Sequence, residues 1–217
     1  MHSWQPLTLK DQIVQQLRQQ MIDGHLKPGQ RIVESALAAE LGLGNTAVRE
    51  ALYQLEDQGF VTRIANKGTF VTKFSPAEID QIFRVRCELE GLAVDLIRER
   101  LPELDLLSLR EQVSGMQTTA QATDLDAFYR HDLEFHLGIW RLAGNPFLVQ
   151  ALEKLTVPLF AFFIMRNTRA TAEDLRRNAS RHAAILEALA KGDDARALLR
   201  ASFTVWRRDI DLWSQPL

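Results

Sequence analysis

Residues 31–71, RIVESALAAELGLGNTAVREALYQLEDQGFVTRIANKGTFV, decide the fold. Ile32, Leu37, Leu41, Val48, Leu52 and Leu55 recur at helical spacing, with a break at Gly42-Leu43-Gly44 where the chain must turn. Two short helices therefore meet at a corner. Asn45 or Thr46 can cap the second, which places Thr46, Ala47 and Arg49 near its N-terminal end, where free amides and the helix dipole favour a phosphate. After Gly59 the pattern changes to Phe60-Val61-Thr62-Arg63-Ile64, a polar tip at Asn66-Lys67-Gly68, then Thr69-Phe70-Val71. Two strands around that tip make a small hairpin. The whole predicts a winged helix-turn-helix, whose second helix enters a major groove while the wing tip reaches backbone phosphate or a minor groove.

Working outward, Leu26-Lys27-Pro28-Gly29, Glu40-Leu41-Gly42, the run Thr46 to Leu52, Leu55, Gly59 and the wing Lys67 to Val71 resemble the GntR family of bacterial transcription regulators. The resemblance covers about the first third of the chain and implies binding to double-stranded operator DNA. It points to Ser35, Asn45, Thr46, Ala47, Arg49, Lys67 and Gly68 as the DNA-facing set. Two positions depart from the family pattern. Members often carry Ser-Arg-Thr where this chain has Gly44-Asn45-Thr46, and Ser35 stands where many have a second Arg. Two cationic contacts are thus missing. An Asn pairs bidentately with adenine where an Arg reads guanine, so Asn45 either shifts the sequence preference or only caps its helix. Arg49 is either a DNA contact or a solvated surface charge.

The chain has 217 residues, 46% of them hydrophobic, enough for a reading head and a second core. We expect a DNA-binding domain over 1–74 and an effector-binding and dimerisation domain over 75–217. The first 74 residues hold eight Lys/Arg against seven Asp/Glu, so attraction to DNA depends on where the charges lie and on a homodimer using two heads. The single cysteine, Cys87, forbids an intrachain disulfide and suits a reducing compartment. No uninterrupted apolar run approaches membrane length, and Met1-His2-Ser3-Trp4 does not open a signal sequence, so a cytoplasmic protein without membrane contact is expected.

A first helix is predicted over about 8–23, with Ile13, Val14, Leu17 and Met21 inward. Ser75-Pro76-Ala77-Glu78 offers a capping Ser, a Pro at the first helical position and a Glu three residues after the cap, and so begins a new long helix. No strand pattern follows. Helices are predicted over about 76–100, 103–119, 125–143, 147–165, 172–191 and 194–213, with Pro158 expected to kink or split the fourth. The fold class is mainly α: a winged helix-turn-helix followed by an all-helical bundle of about six helices.

Asp132 and His136 are four apart, so on one helix they share a face, a spacing at which a carboxylate and an imidazole can hold one metal. His182 is placed on another helix and can face the same cavity; His131 should point outward. Arg86-Cys87-Glu88-Leu89-Glu90, Asp132-Leu133-Glu134-Phe135-His136, Ala143-Gly144-Asn145-Pro146 and the run His182 to Leu189 resemble the FCD ligand domain of the FadR subfamily. In many such domains an Asp and three His bind a divalent metal, and a small carboxylate completes the coordination. The resemblance therefore implies Asp132, His136 and His182 as ligands to zinc, nickel or manganese, and a small carboxylate or sugar acid as effector. The usual fourth His falls on Ser202 or Thr204, and no His follows His182. Arg86 offers a planar fork to the effector carboxylate, or pairs with Glu90 one turn on. Trp140, Phe160, Phe162, Phe163 and Met165 can form an apolar wall or ordinary core.

Two other classes fit the residues less well. A metal-dependent hydrolase would use Glu134 as base, but Glu134 is two residues from Asp132 and lies on roughly the opposite helix face, with no nucleophile motif or phosphate loop nearby. A helical adaptor that does not bind DNA conflicts with the intact run Thr46 to Leu52. The expectation is a ligand-responsive regulator, a repressor released by a small organic acid, and not an enzyme.

Overall fold

The computed structural model describes residues 8–100, 105–166 and 170–203. The chain divides into two compact units, Met1–Lys73 with Ala161–Arg166, and Phe74–Phe160 with Asn167–Leu217.

The first unit opens with α1 (Leu9–Ile22), started by a capping box in which Thr8 and Asp11 satisfy each other's backbone amides. Its Ile13, Val14, Leu17 and Met21 are buried, as their spacing predicts. There follow β1 (Arg31–Ile32), α2 (Glu34–Leu41), α3 (Asn45–Asp57), β2 (Val61–Ile64) and β3 (Gly68–Val71). Val48, Ala51, Leu52 and Leu55 of α3 have no solvent exposure and anchor the core. Gly42 ends α2 in the left-handed region at φ 67°, the turn that the break in the apolar pattern requires. The wing has three strands rather than two, in the order β1-β3-β2, all antiparallel. Ile32 thus belongs to β1 and faces Thr69 in the ladder, instead of continuing a helical stripe. A second correction concerns the cap of α3. Gly44 takes the N-cap position with extended backbone and no side-chain bond, so Asn45 is the first helical residue and caps nothing.

The second unit is all-helical among the described residues. Its elements are α4 (Pro76–Arg100), α5 (Leu107–Ala122), α6 (Leu125–Leu142), α7 (Pro146–Arg166, its last turns counted with the first unit), α8 (Ala172–Lys191) and a helical segment at 195–203. The predicted extension of the last helix to 213 lies outside the described residues. Ser75 and Glu78 make the capping box read in the sequence, with Glu78 Oε2 2.7 Å from the Ser75 amide. α5 starts later than expected because the Asp105 carboxylate accepts from the Leu107 amide at 2.8 Å and Leu106 takes the cap position. α7 runs continuously through Pro158 and is not split. By length and mean hydropathy (1.6) it is apolar enough to cross a membrane, although Gln150, Glu153 and Lys154 interrupt its apolar run. Leu148, Leu152, Thr156, Leu159 and Phe160 of this helix are nonetheless buried inside the fold.

α5 and α6 approach closely at Gly115, where an added Cβ would collide with the His131 ring. His131 is therefore half-buried and bonds Gln112 through Nδ1 at 2.8 Å, not turned outward as expected. α8 is started by a second reciprocal box, Thr171 with Asp174. Thr171→Ala should cost about 1 kcal/mol, read as a lower urea midpoint with unchanged slope; an unchanged midpoint would mean that the box does not hold this helix end.

Candidate functional site

α6 carries Asp132 and His136 one turn apart on its buried face, and α8 brings His182 to them. The His182 Nε2 lies 3.0 Å from Asp132 Oδ1, His136 Nε2 lies 3.5 Å from the same oxygen, and the two Nε2 atoms are 3.3 Å apart. One ligand atom from each residue falls within 4.8 Å of the others. All three side chains are buried. The His182 Nδ1 donates to the Asn178 carbonyl at 2.9 Å, which turns Nε2 toward the cluster. Asn178 also donates its amide to Asp132 Oδ2 at 3.4 Å.

The residues fit a divalent metal on the structure's own terms. Asp132 Oδ1 is buried and lacks a well-aligned hydrogen bond, although two imidazole nitrogens face it. Two imidazoles and one carboxylate form a donor set suited to zinc, nickel or manganese, with positions left for other ligands. Without a metal the cluster is held by charge. Burial alone would raise the Asp132 carboxyl, but His182, His136 and Arg86 together outweigh it and the pKa is lowered. Burial likewise works against charge on His182, and Asp132 reverses this to give a raised value. On His136 burial dominates and the value falls despite Glu90.

Beside the cluster α4 contributes Arg86 and Glu90, 3% and 0% exposed. Arg86 Nε donates to Glu90 Oε1 at 2.8 Å, so the pairing offered by their spacing forms. The same oxygen accepts from the Trp140 indole at 3.2 Å and lies 3.2 Å from His136 Nδ1. Glu90 thus sets a carboxylate of α4 at ion-pair distance from the imidazole, without an aligned hydrogen bond to it. Burial would push its carboxyl up; Arg86 and His136 more than offset that and hold it at about 2. Arg86 also lies over the Phe160 ring at 5.2 Å and the Phe203 ring at 5.0 Å. Its Nη2 and the Glu90 Oε2 are buried without a hydrogen-bond partner among the described residues, as is the hydroxyl of Thr156, one turn before Phe160 on α7.

Of the residues singled out from the sequence, Asp132, His136, His182 and Arg86 come together. Ser202 is half-buried on the 195–203 segment, where its neighbour Phe203 makes the aromatic contact to Arg86; Thr204 lies outside the described residues. Of the aromatic wall, Trp140 and Phe160 flank the His136 ring at 6.2 and 5.9 Å. Asn178, Thr156 and Phe203 were missed. Asn178 stands four residues before His182 and so shares its face, a signal available in the sequence. Thr156 and Phe203 carry no such signal.

In the first unit Ser35, Asn45, Thr46, Arg49, Lys67 and Gly68 are exposed and Ala47 is half-buried. Lys67 occupies the turn between β2 and β3, its amide bonded to the Ile64 carbonyl at 2.9 Å. Arg49 is not simply solvated. Its Nε donates to Glu34 of α2 at 3.0 Å, a bond that raises its pKa. Arg63 of β2 joins the group, 3.6 Å from Glu34, 3.4 Å from Glu56 and 3.7 Å above the Tyr53 ring.

A winged helix-turn-helix unit in the same chain as a helical unit with buried imidazoles, carboxylates and an arginine defines a ligand-sensing, DNA-binding transcription regulator. Residues 9–71 match the bacterial regulatory proteins of the gntR family, and residues 81–202 match the FCD domain. The sequence is 32% identical to the HTH-type transcriptional regulator McbR of Escherichia coli (strain K12) over 151 residues, 70% of this chain and 68% of that protein. It is 29% identical to the HTH-type transcriptional repressor GlaR of the same strain over 187 residues, 83% of this chain and 85% of that one. The solved structure of E. coli McbR/YncC superimposes with a TM-score of 0.73 at 27% identity, covering 97% of this chain and 100% of that chain. The chain belongs to the GntR family, among the FCD-containing regulators of FadR type, and is not an enzyme.

Proposed function

We infer that this chain is a homodimeric cytoplasmic repressor. Residues 1–74 read a palindromic operator, and residues 75–217 bind a small carboxylate or sugar acid that releases it. Exposure of Asn45, Thr46, Arg49, Lys67 and Gly68 on helix start and wing supports the DNA-reading assignment, with Ser35 and Ala47 at the margin. The convergence of Asp132 Oδ1, His136 Nε2 and His182 Nε2 beside Arg86 carries the sensing assignment. Those three residues would hold a divalent cation, which would supply a Lewis-acidic anchor for a carboxylate oxygen. Arg86 orients the other end of that carboxylate, Glu90 orients the His136 ring, and Trp140, Phe160 and Phe203 keep water away from the charges.

α4 carries both Arg86 and Glu90 and follows the last strand of the first unit by only four residues. A ligand that shifts α4 therefore acts directly on the linker. A coupling of about 1–3 kcal/mol changes operator affinity roughly 5–150-fold. The test is metal content per chain after chelation and reloading with zinc, nickel or manganese, with Asp132→Ala and His182→Ala alongside. We expect near-stoichiometric metal in the parent and its loss in both variants. Metal retained by both variants would place the cation elsewhere, and operator affinity indifferent to every carboxylate tried would overturn the sensing role.

A further inference from the structure

Arg86 Nη2 and Glu90 Oε2 are buried polar atoms of opposite character, both without a hydrogen-bond partner among the described residues. Each neighbours a paired atom of the same planar group, since Arg86 Nε and Glu90 Oε1 are joined at 2.8 Å. The free donor and the free acceptor therefore belong to one ion pair. Buried groups of this kind are costly to leave unmade, and their presence together points to a ligand that satisfies both. We propose that the effector is an α-amino acid bound as a zwitterion, its carboxylate accepting from Arg86 Nη2 and its ammonium donating to Glu90 Oε2. The inference rests on the effector-sensing reading above and narrows its chemistry.

The unmet acceptor decides for the ammonium. A plain carboxylate at Arg86 Nη2 carries no donor and would leave Glu90 Oε2 buried and unsatisfied. A zwitterion adds one charge of each sign next to its complement. It also makes charge-assisted bonds at both ends, about twice as strong as neutral ones. An α-hydroxyl reaches the same oxygen but brings no positive charge. The Phe160 and Phe203 rings lie over Arg86 at 5.2 and 5.0 Å, so the groups beside the ion pair are apolar.

The test uses the full chain and two matched series of probes: L-alanine, L-lactate and propionate, then L-phenylalanine, L-phenyllactate and 3-phenylpropanoate. Isothermal titration is run on both chelated and zinc-reloaded protein. Within at least one series the amino acid should bind tenfold or more tighter than the hydroxy acid, and the unsubstituted acid should bind weakest. N-acetylation or methyl esterification of the amino acid should each abolish measurable binding, and these ligand-side changes need no altered protein. Glu90→Gln, checked for folding by circular dichroism, should reduce the amino-acid preference below about threefold. Equal or tighter binding of the hydroxy or unsubstituted acid overturns the inference and leaves a carboxylate effector in place. Absence of binding by all six probes to protein that still binds its operator also overturns it. Failure of the sensing role itself reads differently, as operator affinity that no carboxylate of any kind alters.

Discussion

Glu90→Ala should destabilise the helical unit by about 3–5 kcal/mol, the usual cost of removing one partner from a buried ion pair. Arg86, 3% exposed, would keep its charge with no counter-ion, and the Trp140 indole would lose its acceptor. Urea denaturation followed by circular dichroism measures the loss. Replacing both members with apolar residues, Arg86→Met with Glu90→Leu, should recover most of it, because an intact buried pair gives little net stability over good packing. The pH dependence has a definite sign. The Glu90 carboxyl is held at about 2, below its ordinary 4.5, so its contribution is complete above 4.5 and is lost as pH falls through about 2. Glu90→Gln should flatten that acid limb. A variant as stable as the parent at pH 7, with the same acid limb, would show that the pair is not the ionised one described.

Arg49→Ala should weaken operator binding by about 1–3 kcal/mol per head, and by twice that where two heads bind one palindrome. Glu34 fixes the Arg49 Nε on the exposed face of α3, which leaves the rest of the guanidinium for DNA. Fluorescence anisotropy across a salt series separates the two kinds of contact. Loss of a phosphate contact weakens all sequences alike and reduces the salt slope by about one per head, whereas loss of a base contact relaxes one position. Glu34→Gln should mimic part of the effect by releasing Arg49 from its set direction. Full operator affinity in Arg49→Ala would return this arginine to the solvated surface.

What could be read from the chain followed the range of the interaction. The helix start at Ser75 and the helix bounds 172–191 were legible because helix ends are settled within four residues. β1 was not, since two residues carry no period and Arg31 finds its partner at Phe70, far along the chain. The cap of α3 went to Gly44 because its extended backbone already satisfies the position, leaving Asn45 inside the helix. In the site, the Asp132–His136 spacing was visible as one helix face with His182 able to face the same cavity, and resemblance made all three ligands. The rings over Arg86 come from two other helices, and only folding brings them there.

Trp140 gives the site a natural optical reporter. Its indole bonds the oxygen that Arg86 also holds, its ring lies 6.2 Å from His136, and it is the one tryptophan among the described residues. With Trp4, Trp206 and Trp213 changed to phenylalanine, the emission of the whole chain would come from the wall of the ligand site, and occupancy could be followed as a colour without labelling the protein.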